Sequence, residues 1–293
     1  MGHSHPDYSL RLAEDTAAFE RNLAIELEGE SLELPSFPEV ALRVRKALGH
    51  TEIALDEVVR LVGAEPSLSV RLLQLANSVA LNPGGQRITS LRLAIARIGF
   101  NLARSATIAF AMSQMRRAEA WRGLERRFRQ LWEESATLAA IAHAFGRKGS
   151  GLFADQALLA GMLSSVGRLF ILTRLSRFPL LLDAPDRHLE LERRWDQRVT
   201  RAILSHWELG PGIISAACDF ESAAEVREGV PDLRDVLFVA RCMNSLPPGV
   251  QAPSPAILES GPFRRLELDQ ARCRAVMESS AEDIASLRAA MLE

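Results

Sequence analysis

The stretch Ala157–Leu172, ALLAGMLSSVGRLFIL, reads as a buried helix with two adjacent serines, Ser164 and Ser165, at its centre. A helix that is apolar around its whole circumference belongs in a core rather than on a surface. Gly161 and Gly167 flank the serines, and such small residues let neighbouring helices approach closely. A serine hydroxyl inside a helix is satisfied by bonding back to the carbonyl of the preceding turn. The stretch therefore predicts the central helix of a helical domain, with Ser164 and Ser165 as packing residues.

The flanking sequence has the same character. Leu68, Leu72, Leu75, Ala76 and Val79 recur at helical spacing, and Pro66 stands at the first helical position, where no amide is lost. Leu91, Ala94, Ile95, Ile98 and Leu102 repeat the pattern after the turn Asn82-Pro83-Gly84-Gly85, with Thr89 or Ser90 available as a cap. No alternating β-branched run is long enough to build a sheet, so the expected fold class is all-α. Two halves are drawn: short helices over 34–115 and longer ones over 124–246. The charged stretch Arg116–Arg129 joins them. An amphipathic extension, 1–33, precedes the halves, and a Pro-rich loop with terminal helices, 247–293, follows. No repeat of fixed period is present, which disfavours a solenoid.

Composition narrows the class. Apolar residues make up 47% of the chain and charged residues 25%, ordinary for a folded domain. Lys+Arg (35) nearly balance Asp+Glu (37), so nucleic acid is a disfavoured partner. Cys218, Cys242 and Cys273 are scattered and form no paired motif, which suits a reducing cytoplasm, and Cys218 and Cys242 are read as buried small hydrophobes. The amino terminus has no basic region followed by an apolar one, and no membrane span is expected. His3 and His5 are assigned no role.

Three ordered segments carry a family resemblance: LPSFPEVALRVRKAL (Leu34–Leu48), EPSLSVRLLQLANSVAL (Glu65–Leu81) and RITSLRLAIARIGFNLARSATIAFAM (Arg87–Met112). LWEESATLAAIA (Leu131–Ala142), the Ala157–Leu172 helix and ILSHWELGPGIISAA (Ile203–Ala217) continue it. The chain resembles the HDOD domain over about Leu34–Leu246. The resemblance implies a helical fold with a small-helix bundle packed on a second half like that of HD phosphohydrolases. It also implies a regulatory role in bacterial signalling rather than a known reaction.

On that match Glu134 takes the place of the first metal-binding histidine, Ser164 and Ser165 take the His-Asp pair, and Arg241 takes the final aspartate. The optional His-His pair falls near Phe220 and Glu221. None of these positions holds a standard ligand, and an arginine repels a cation. The expectation is a degenerate site with no catalytic residue, no metal and no cofactor. Beside the reading of Ser164 and Ser165 as packing residues stands a sharper one, in which Glu134 and Arg241 form an ion pair across the site with the serines as hydrogen-bond partners, since a lone buried charge is costly.

Asn77 and Ser78, at a helix end, are read as a C-terminal cap or as an interaction surface. The cluster Arg116, Arg117, Arg122, Arg126, Arg127 and Arg129 is read as a solvated face and as the best candidate for an anionic partner. Trp207 is assigned to the core. The leading function is a non-catalytic signalling adaptor that binds a protein partner, with self-association left open and the terminal segments as candidate contact regions. The alternative is a sensor of a nucleotide or other small anion between the halves. A metal-dependent phosphohydrolase ranks last.

Overall fold

In a computed structural model the described residues are 6–29, 54–115, 124–149, 153–207, 209–220, 224 and 229–292. Among them every regular element is an α-helix, as the periodicity predicts. Leu34, Pro35, Pro38, Arg116, Arg117, Arg122 and Glu221 lie outside the described residues.

α1 (Pro6–Glu28) is the amphipathic extension, and it buries Phe19 and Leu23. Phe19 meets Phe178 edge to face with ring centroids 5.8 Å apart. Glu26 pairs with Arg174 at 2.8 Å, and Glu20 accepts from Trp195 Nε1 at 3.1 Å, so polar clamps flank the apolar seam. α2 (Leu55–Gly63) and α3 (Pro66–Ala76) follow. α3 starts at Pro66 as expected and buries Leu68, Leu72, Leu75 and Ala76. Val79, read as part of the same face, is 47% exposed, because the helix has ended three residues earlier and the periodicity no longer applies.

α4 (Leu91–Met115) buries Ala94, Ile95, Ile98 and Leu102, but it is kinked at Gly99, whose φ of 76° and ψ of 165° are non-helical. A Cβ at Gly99 would meet nothing within 4 Å. Glycine is required here by the backbone angle rather than by crowding.

α5 (Glu125–Gly149) is the central strut, packed by α6 (Ala154–Leu163), α11 (Leu233–Asn244) and α15 (Ala281–Leu292). The stretch read as one helix is two: α6 ends at Leu163, Ser164 and Ser165 form a turn, and α7 (Val166–Leu175) resumes. The span Ala154–Leu175 is apolar enough to cross a membrane by composition, yet 89% of its 18-residue apolar window is buried inside the molecule. Its glycines explain the close packing. A Cβ on Gly161 would stand 2.6 Å from the Ala139 Cα on α5. One on Gly167 would stand 2.5 Å from the Asp196 carbonyl oxygen on α9 (Pro185–His206).

The single-turn α8 (Pro179–Leu182) leads into α9, and α10 (Pro211–Asp219) leads on to α11. The Pro-rich stretch is loop apart from two short helices, α12 (Pro255–Leu258) and α13 (Gly261–Arg265), before α14 (Gln270–Ser279) and α15.

One continuous core contains Leu72 and Ile95 from the first half, Phe170 and Val199 from the second, Phe19 from α1, and Leu287 and Met291 from α15. A second cluster, around Phe145, Leu237, Phe263 and Cys273, joins α5 and α11 to the C-terminal helices. The apolar faces of both terminal segments are thus part of the domain interior. The burial of Trp207 and Cys218 agrees with their core assignment; Cys242, read as buried too, is half-buried, and Cys273 is buried. Burial pushes the Cys218 thiol up to about 12 and the other two to about 11, so all three stay protonated and unreactive at neutral pH.

Candidate functional site

The helix break at the serines builds the site. Ser164 Oγ donates to the Gly161 carbonyl at 2.8 Å, the back-bond expected for it, one residue nearer than a full turn. Ser165 is oriented differently, and its hydroxyl accepts from Arg168 Nη2 at 2.7 Å. Arg168 lies three residues on, in the first turn of α7, so the break presents its guanidinium beside the serine.

Arg168 is the centre of the charge network. Its Nη1 stands 3.5 Å from Glu134 Oε2 on α5, and its Nε stands 3.9 Å from Asp196 Oδ2 on α9. Asp196 Oδ1 accepts from Thr200 Oγ1 at 3.2 Å, and the same hydroxyl accepts from the Gly167 amide at 3.1 Å. The Arg241 guanidinium stacks over the Phe220 ring, 4.8 Å from its centroid.

The expected Glu134–Arg241 ion pair is therefore corrected: among the described residues Glu134 pairs with Arg168. The physical reason is reach. Arg168 projects from the helix break directly beside α5, while the Arg241 side chain lies against an aromatic ring. Arg168 and Asp196 were both missed in the sequence. Arg168 could have been found, being the one ionisable residue in Ala157–Leu172, and a charge inside an apolar helix needs a partner. Asp196 is distant in sequence and carries no such signal.

Glu134, Ser165, Arg168 and Arg241 line one cavity of about 300 Å³, together with Leu138, Asn244 and Ser245. Ser164 is not among its lining residues, since its hydroxyl turns back into its own helix. This donor set does not fit a divalent metal. Among the described lining residues the one carboxylate pairs with an arginine, and a second guanidinium lines the same space. No cluster of three or more metal-ligating side chains occurs among the described residues.

The other candidate residues are placed elsewhere. Asn77 caps α3 at φ −96°, outside the left-handed region, so its value is not the backbone tolerance expected of it. Its amide donates to the Leu73 and Ile88 carbonyls, each at 2.8 Å, and its carbonyl oxygen accepts from the Ile88 amide at 2.8 Å. Asn77 thus ties the end of α3 to the loop that precedes α4. Ser78 is buried beside it, and both border a surface groove of about 1010 Å³.

In the arginine cluster, Arg126 and Arg129 are exposed. Arg127 is not part of a free basic face: its Nη1 donates to His188 Nδ1 at 2.6 Å. His188 Nε2 is then left to donate to Glu192 Oε1, at 2.8 Å.

Two buried groups titrate in opposite senses. Burial, assisted by Arg147, lowers His143 to about 4, against a weaker upward pull from Asp283. Burial raises Asp196 to about 6, opposed by Arg168, Thr200 and Arg241 and assisted by Glu192. The His143 contribution to stability is present above its unfolded value of 6.5 and is lost as pH falls through about 4. The Asp196 contribution is present below its unfolded value of 3.8 and is lost as pH rises through about 6. Each amounts to about 3 kcal/mol at 1.36 kcal/mol per pH unit, so they nearly cancel between pH 4 and 6. We expect His143→Asn and Asp196→Asn to change stability relative to the parent with opposite slopes across this range. Urea denaturation at several pH values checks this, and parallel profiles would refute it.

The comparisons come to the same fold. The HDOD domain model matches residues 34–220. A structure from Shewanella amazonensis SB2B, provisionally named a metal-dependent phosphohydrolase, is 22% identical, with 95% of this chain and 99% of that one covered and a TM-score of 0.70. An HDOD domain protein of unknown function from Geobacter sulfurreducens is 23% identical, with 97% of each chain covered and a TM-score of 0.62. A provisionally named signal transduction protein from Marinobacter aquaeolei VT8 is 18% identical, with 95% of this chain and 67% of that one covered and a TM-score of 0.60. No curated protein matches the chain. The helical fold and the family model over more than half the sequence agree: this chain belongs to the HDOD domain family.

Proposed function

We propose that this protein is a non-catalytic regulator that acts through contacts with a protein partner. The observation that carries the reading is the make-up of the cavity. At the positions where resemblance to HD phosphohydrolases would place metal ligands, Glu134 is neutralised by Arg168, Ser164 bonds to its own helix, and Arg241 adds a second cation. Water activation by a divalent ion needs imidazole and carboxylate groups converging on one point. Family membership and the likeness to a structure named for signal transduction support a regulatory role.

The test is hydrolysis of p-nitrophenyl phosphate and bis(p-nitrophenyl) phosphate with Mg²⁺ or Mn²⁺. The expected result is no turnover above the protein-free control. Metal-dependent turnover that Glu134→Ala abolishes would overturn the reading. The interaction half requires a partner, identified by cross-linking in cells, that forms a complex when both components are purified. Failure of every cross-linked candidate to reconstitute would count against it.

A further inference from the structure

We propose that the outer face of α1 is a self-association surface, on which α1 of a second copy of this chain lies antiparallel across a two-fold axis. The inference goes beyond the partner reading above, and each can fail while the other stands.

α1 carries two apolar stripes, and the fold uses one of them. The inner stripe holds Phe19 and Leu23, both buried, and it is fixed to the domain through Phe178 and Arg174. At about 100° per residue, Leu10, Glu14, Arg21 and Ile25 fall within an arc of about 60° on the opposite side of the helix. All four are exposed, Leu10 by 61% and Ile25 by 68%. Single apolar residues are ordinary on a surface. Here two large ones share a stripe with one acid and one base between them, and that order selects the partner.

The stripe is complementary to itself. Leu10 and Ile25 are equidistant from a midpoint between Ala17 and Ala18, and so are Glu14 and Arg21. A two-fold axis through that midpoint sets Leu10 against the partner's Ile25 and Glu14 against the partner's Arg21. Every contact then occurs twice, as an isologous interface requires. A parallel pairing would instead oppose acid to acid and base to base, which disfavours it. At the crossing point Ala17 and Ala18 present only methyl groups, so the helix axes can approach to the short end of the usual range of about 8–10 Å. Because the inner and outer stripes lie on opposite sides of α1, the two domain bodies stand on opposite sides of the helix pair. A single helix face about 34 Å long sits at or below the low end of the roughly 1,200–2,000 Å² buried in stable interfaces. The dimer is therefore weak and concentration-dependent.

The experiment is sedimentation velocity of the full chain from about 1 μM to about 1 mM, a range that spans weak dissociation constants. We expect a monomer–dimer equilibrium within it. Arg21→Glu and Glu14→Arg each turn both symmetry-related charge contacts repulsive, and each should weaken the dimer about tenfold or more. Mixed together, the two variants regain opposite charges at both contacts, so a heterodimer should form about as tightly as the parent dimer. A variant that had merely lost its fold would show no such rescue, and circular dichroism confirms that both are native. Ile25→Ser should weaken association without any change of charge. A monomer across the whole range, which would leave the stripe to some other protein, overturns the proposal. So does a dimer indifferent to Arg21→Glu, or a mixture of the two charge variants that fails to associate.

Discussion

Replacing Leu287 by alanine should lower the unfolding free energy by about 2–5 kcal/mol, and deleting Ala281–Leu292 should abolish cooperative unfolding. Leu287 is fully buried in the core shared by both halves, with Ala290 and Met291 beside it. Polar ties surround that seam. Arg71 Nη1 donates to the Ala290 carbonyl at 3.0 Å, Arg288 Nε donates to Thr137 Oγ1 at 3.0 Å, and Arg147 pairs with Asp283. Removing α15 would uncover apolar surface on α3, α4 and α5 together. Domains are stable by only about 5–15 kcal/mol, so losing several such side chains exceeds the margin. Thermal unfolding of the variant and of the truncated chain checks this. A truncated chain that melts cooperatively near the parent temperature would show α15 to be an appendage. The consequence for function is practical: deleting the C-terminal helices removes the fold along with any contact they make.

Asp235→Ala should cost about 3–5 kcal/mol, the range for removing one partner of a buried ion pair. Asp235 is fully buried, and the Arg265 side chain is 5% exposed. Arg265 Nε reaches Asp235 Oδ2 at 3.0 Å and Nη2 reaches Oδ1 at 2.5 Å, a two-pronged contact. The same carboxylate accepts from the Asp232 amide at 2.9 Å, completing the capping box that starts α11. Alanine at 235 therefore strands a buried guanidinium and opens a helix terminus at once. Arg265→Met in the Asp235→Ala background should recover much of the loss, since it removes the unpaired charge while keeping apolar bulk. Urea midpoints at unchanged slope would measure both effects. A loss below about 1 kcal/mol for Asp235→Ala would place the pair among weak surface contacts.

Most of the helical layout was legible in the chain. Pro66 set the start of α3, and the spacing from Leu68 to Ala76 marked its buried face. Periodicity records which side of a helix is apolar, and burial follows directly from that. It could not show where helices stop. Val79 keeps the spacing but lies beyond the end of α3, and the Ala157–Leu172 run conceals a break, because a turn packed on all sides is as apolar as a helix. Gly99 could be matched as a family residue, but its positive φ could not be inferred from its neighbours.

The candidate site was half legible. Glu134, Ser165 and Arg241 do line one cavity. Arg127 and Asn77 hydrogen-bond within the fold, to His188 and Ile88. Which cation would meet Glu134 was beyond sequence reasoning.

By itself the sequence determined the helical class and the buried faces. Those are properties of residue type and local spacing. Only the tertiary structure decided that Arg168 takes the Glu134 carboxylate, that Asp196 backs it, and that α15 completes the core. These outcomes depend on the reach of side chains from helices far apart in the chain. A helix break between Leu163 and Val166, rather than any motif, sets that reach.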